Sequence, residues 1–180
     1  MKKISLMLLA LLGSAVLISA CHKDDNQVYH QVGDQVFVTD ASSTTSFEIQ
    51  AGKLAMARGI SDSVKVFADS MLNDNTKIAA NLSAVASQNG LAISTTLQPA
   101  DQNNLNALNT LSGVAFDKEY AAIMVMAHQG ALTLFDNAAA YNGVGNASLR
   151  TFAGVQIASL QTQLALSQRL VQAVSSESGQ

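Results

Sequence analysis

The chain has 180 residues and a formal net charge of −3, with one proline, one cysteine and no tryptophan. That length supports one domain with a full core rather than two, and a lone cysteine excludes an internal disulfide. The acidic balance argues against nucleic acid as a partner of the domain. Alanine, leucine, glutamine and asparagine dominate and alternating β-branched runs are few, so the composition is helical. No repeat of solenoid length interrupts it.

Residues 1–20 carry the three parts of an export signal in order: Lys2 and Lys3, an apolar stretch from Leu6 to Ile18, then the small residues Ser19 and Ala20. The apolar stretch is short of the roughly 20 residues a membrane span needs, so the segment reads as a signal peptide that is removed. Leu17-Ile18-Ser19-Ala20-Cys21 resembles the lipobox of bacterial lipoproteins, in which the cysteine is lipidated and becomes the first residue of the mature protein. Each buried acyl methylene contributes about 0.8 kcal/mol, so several chains on Cys21 would anchor it firmly. The competing reading is an ordinary cleaved signal followed by a free thiol, which is a liability in an oxidising compartment. Residues 21–33 form the lipidated tether, with His22 and His30 solvated in it. Lys23-Asp24-Asp25 resembles the acidic tether that sends some Gram-negative lipoproteins to the cell surface, and serves equally as plain linker. The expected location is extracytoplasmic, lipid-anchored to the outer membrane, with surface exposure one of two readings. Loss of Lys2 and Lys3 leaves eight basic and 13 acidic side chains in the mature chain. The expected partners are the membrane, through lipid on Cys21, and another envelope protein.

Residues 34–172 form the domain. A first helix spans 34–58 with Phe37, Ala41, Phe47, Ala51, Leu54 and Ala55 inward. Its Ser42–Ser46 segment has poor helix propensity, so its continuity there is open. The second helix starts at the N-cap Ser61 and ends before Gly90, with Val64, Phe67, Ala68, Met71, Ile78, Leu82 and Val85 spaced by threes and fours. A long connection follows, holding a short helix capped by Asp101 with Leu105, Leu108 and Leu111 on one side. From the cap Asp117 a third long helix carries Tyr120, Ile123, Met124, Ala127, Ala131, Leu134, Phe135 and Ala138. It stops at Tyr141-Asn142-Gly143-Val144-Gly145. The last helix begins near Asn146 and carries Leu149, Phe152, Ala153, Ile157, Leu160, Leu164, Leu170 and Val171. Residues 173–180 are expected to be a disordered tail. Two short-looped hairpins joined by a crossover of about two dozen residues predict an all-α, ferritin-like four-helix bundle with a short extra helix in the crossover.

Bundles of this kind place ligands where inward stripes meet at one level. Glu48 lies 12 residues before the first loop centre and Asn75 lies 15 after it, a mismatch of about 4.5 Å. His128 and Gln163 bracket the second loop with the same offset. Glu48, Asn75, His128 and Gln163 are therefore the expected inward polar layer. In it Asn75, Gln156 and Gln163 are expected to bond to one another and fix register. Met56, Met71, Met124 and Met126 read as core filling rather than copper ligands, because no Met-x-x-Met cluster occurs.

Three stretches carry a family resemblance: Phe47-Glu48-Ile49-Gln50-Ala51-Gly52-Lys53-Leu54-Ala55, Val64-Lys65-Val66-Phe67-Ala68 through Met71 to Asp74, and Phe116-Asp117-Lys118-Glu119-Tyr120 followed by His128. Together they resemble the bacterial family named domain of unknown function 4142, often labelled outer membrane proteins, over about residues 34–171. The resemblance implies a ferritin-like fold. It also implies a histidine after the aspartate of the second helix and another in the last helix, where this chain has Asn75 and Gln163. Amides bind transition metals poorly, and di-iron bundles need Glu-x-x-His motifs that the chain lacks. No catalytic residues and no cofactor are expected. A non-catalytic binding or structural module is the preferred reading. The alternative is a transition metal held by a reduced set, Glu48 and His128, with Asp74 as a third candidate.

Overall fold

The computed structural model describes residues 32–177, and these are helical with no strand. Residues 1–31 lie outside the description, so the signal, Cys21, His22, His30 and most of the tether do too. Four long helices, α1 (Asp34–Arg58), α2 (Asp62–Gln88), α4 (Gly113–Ala139) and α5 (Ala147–Glu177), pack as a bundle, with the short α3 (Pro99–Asn109) in the crossover.

Local chemistry sets where the helices start and stop. Ser61 Oγ accepts from Val64 N at 3.3 Å, capping α2. At its other end Gly90 takes φ +68°, and Leu91 N and Gly90 N donate to Ala86 O and Ser87 O, which closes a Schellman motif. Asn146 caps α5, its Oδ1 accepting from Ser148 N and Leu149 N.

One open point is answered and three expectations change. The first helix is unbroken, because Ser42 and Thr45 return their hydroxyl bonds to Val38 O and Ala41 O within the helix. Asp101 does not cap α3: Gln98 precedes the helix, Pro99 occupies its first turn, and the Asp101 carboxylate accepts from Ser43 Oγ of α1. Asp117 does not start α4, which begins at Gly113; its buried carboxylate accepts from Ile60 N and Ser61 N in the α1–α2 loop. α5 runs past residue 172 to Glu177, where burying Val174 and a bond from Ser63 Oγ to Glu177 at 2.7 Å stabilise its last turns.

These contacts fix the topology. Asp117 beside Ile60, and Ser63 beside Glu177, put the starts of α2 and α4 and the ends of α1 and α5 at one pole. Asp34 accepting from Asn146 N, and Asn146 bonding Asn89, put the opposite ends at the other. Helices α1, α2, α5 and α4 follow one another around the ring, every neighbour antiparallel. The crossover returns alongside α1: Gln98 bonds Asp40 and Ser43, and Asn109 O accepts from Arg58.

The core falls into two apolar parts. Phe37 meets Phe135 and Phe152 edge-on in one, the latter two rings tilted to each other, with Ile78, Leu82, Leu149 and Leu160 around them. Phe47, Phe67, Met71, Phe116, Tyr120 and Leu170 build the other. Met56 and Met126 belong to neither, being 41% and 56% exposed on outer faces, contrary to expectation.

Candidate functional site

A band of polar side chains sits where the two apolar parts meet. On α2, Asn75 falls between Met71 of one part and Ile78 of the other; on α4, His128 falls between Met124 and Ala131; on α5, Gln163 falls between Leu160 and Leu170. On α1 the division lies between Ala41 and Phe47, and Glu48 follows directly after Phe47. Each is inward because it continues the apolar stripe of its helix by steps of three or four. All four predicted layer residues are buried, Glu48 and Asn75 at 2% exposure, Gln163 at 1% and His128 at 0%.

The structure brings Glu48 and His128 face to face. His128 Nδ1–H donates to Met124 O at 2.6 Å, one turn back on its own helix. That bond fixes the tautomer, leaving Nε2 as the nitrogen that faces Glu48. Nε2 and Glu48 Oε2 stand 3.7 Å apart, too far for a hydrogen bond. The ring of Phe67 meets the imidazole edge-on at 6.2 Å and Tyr120 at 6.1 Å.

Five buried polar atoms here have no bonding partner: Glu48 Oε1, His128 Nε2, Tyr120 OH, and both Oε1 and Nε2 of Gln163. An unpaired buried polar atom costs about 1–3 kcal/mol, so five around one region are a large cost for a fold to carry unanswered. Burial pushes the Glu48 carboxyl above its ordinary value, against the opposing pulls of His128 and the Asn75 amide. Burial, reinforced by Glu48, also holds the Tyr120 proton on.

Other expectations about the site are corrected. Asp74 does not join Glu48 and His128; it is partly exposed and pairs with Lys77 at 3.8 Å on the outer face of α2. Among the described residues no three of His, Cys, Asp and Glu gather as a metal-holding group. The amide network does not form either. Asn75 donates to Met71 O of its own helix, and Gln156 lines an open groove between α2 and α5. Tyr120 is the member the sequence reading left among the apolar residues. Its signal was present: Tyr120, Met124 and His128 follow one another at steps of four, so a phenol oxygen faces the same interior as the imidazole.

The site is thus a buried layer in which a carboxylate and an imidazole face each other, and these, a phenol and a primary amide keep bonding capacity left over. Such a region can hold a proton or a cation, and it offers no opening of its own to a larger substrate. A family model described as Domain of unknown function (DUF4142) matches residues 20–170. No curated protein and no solved structure matches the chain.

Proposed function

The chain belongs to the DUF4142 family, and from that premise we propose that it is a lipid-anchored envelope protein whose ferritin-like helical domain serves as a non-catalytic binding or structural module. The observation that carries the anchor is the lipobox-like Leu17-Ile18-Ser19-Ala20-Cys21 behind a basic and apolar leader. The family match begins at residue 20, beside that cysteine, so the leader stands apart from the family's domain. No helix among the described residues is long and apolar enough to cross a membrane, and acyl chains on Cys21 are the attachment in this reading. The crossover between two antiparallel helix pairs supports the ferritin-like reading. Burial of Glu48 and His128 supports a role without turnover, because the surface grooves are lined by neither.

Cell fractionation tests the anchor. The parent chain is expected in the outer-membrane fraction and Cys21→Ser in the soluble extracytoplasmic fraction. Retention of Cys21→Ser on the membrane would refute lipidation as the attachment.

A further inference from the structure

From the charge and shape of the groove between α2 and α5 we infer that it binds a free aliphatic monocarboxylate, its tail on Val66, Phe67, Leu166 and Leu170 and its carboxylate on Arg169. The inference goes beyond the proposed role and does not rest on the lipid anchor.

Three observations carry it. The first is an asymmetry of the bundle. The seam between α1 and α4 is closed by α3, which packs on both helices and buries Leu108 fully, with Leu105 and Leu111 against the same apolar cluster. Among the described residues no element covers the opposite seam, between α2 and α5. Where α2 begins, that seam opens into a groove of about 510 Å³. Phe67 and Leu170, both buried, form its base, Leu166 and Ala173 line the α5 side, and Val66 stands 72% exposed on the α2 side. An apolar surface of this kind gains free energy when a hydrocarbon chain displaces its water.

The second is a contrast among the three arginines. Arg58 donates to Asn109 O, and Arg150 donates to Tyr141 O and Gly145 O. Arg169, exposed on the rim of the groove, has no ion pair and no hydrogen bond with any described residue. Its guanidinium therefore keeps a planar fork of N–H donors, the geometry that takes a carboxylate by two parallel bonds.

The third is that the acidic groups nearby are already answered. Asp62, at the far end of the groove, lies in the first turn of α2, where the helix's unsatisfied amides offset its charge. Glu177 accepts from Ser63 Oγ. Arg169 lies about two turns before the end of α5, too far from that helix's last carbonyls to be offset by them. The unanswered charge of the groove is thus positive, and Asp62 turns away a second carboxylate at the other end. From Ser63 to Ser70 the groove runs about 10 Å along α2, the reach of an octanoate tail rather than of a membrane acyl chain.

The test uses the full chain, with its N-terminus as the cell leaves it, in phosphatidylcholine nanodiscs, with isotope-labelled valine and leucine methyl groups followed by NMR. Octanoate should shift the Val66, Leu166 and Leu170 signals saturably. Each methylene added from butanoate to octanoate should tighten binding about threefold, and the gain should stop with dodecanoate, whose tail overruns the groove. Octanol should bind about tenfold more weakly than octanoate. Arg169→Gln should weaken octanoate about tenfold and leave octanol unchanged, which also shows that the groove is still folded. Asp62→Asn should admit octanedioate, which the parent rejects. Partition into the nanodisc is common to parent and variants and cancels between them. No saturable shift in the parent, equal affinity for octanoate and octanol, or octanoate affinity unchanged in Arg169→Gln would each overturn the site.

Discussion

Glu48 is the residue whose burial has the most measurable effect, because a carboxylate 2% exposed and 3.7 Å from its partner is poorly compensated. Its folded-state pKa lies above the ordinary 4.5, so the folded state holds a proton that the unfolded chain releases first. Stability from this group is complete below the ordinary value and is lost as pH rises through the raised one. The parent protein should therefore lose Tm as pH rises above the ordinary carboxylate range, while Glu48→Gln, which cannot ionise, should show a flatter profile and exceed the parent at the upper end. Parallel profiles for the two proteins would sink this account. At this scale the sequence showed Glu48, Asn75, His128 and Gln163 directly, since each breaks an apolar stripe. Tyr120 was hidden because a tyrosine does not break such a stripe. Asp74 misled because adjacency to Asn75 in sequence places it about 100° further round the helix, toward solvent.

Helix ends were legible wherever one side chain decides them, as at Ser61, Gly90 and Asn146. Gly90 holds φ +68° with open space around it, so Gly90→Ala should cost about 1 kcal/mol from backbone strain alone. Thermal melting should show a loss of about 2–4 °C, and an unchanged Tm would show that the turn relaxes. Elsewhere the deciding contact comes from another element. Asp101 and Asp117 both looked like caps, yet each binds across the fold, to Ser43 and to the α1–α2 loop. The serine-rich middle of α1 likewise stays helical because tertiary and within-helix bonds satisfy its hydroxyls, which propensity alone does not register. The end of α5 belongs to the same class. A chain stopped after Gln172 gives up the burial of Val174, about 2 kcal/mol, along with the exposed Ser63–Glu177 bond, and should melt about 4–8 °C lower. A truncated chain that melts with the parent would return those residues to the category of a dispensable tail.

For the whole molecule, loop lengths made the pairing of α1 with α2 and of α4 with α5 readable, because short loops leave antiparallel neighbours little choice. The side on which the crossover returns was not readable. It is set by a few polar contacts, Gln98 to Asp40 and Ser43 above and Arg58 to Asn109 below, that no periodicity reports. The antiparallel ring described above also gives the molecule a direction. Asp34, where the domain begins, lies at one pole, and the α1–α2 loop and Glu177 lie at the other, a full helix length away. With 25 residues in α1, that separation is about 37 Å. For a chain held by its N-terminus, Ile60, Val114 and the last turn of α5 lie at the pole farthest from where the domain begins. Ile60 and Val114, 59% and 45% exposed, would then be the first apolar groups to meet whatever approaches from outside.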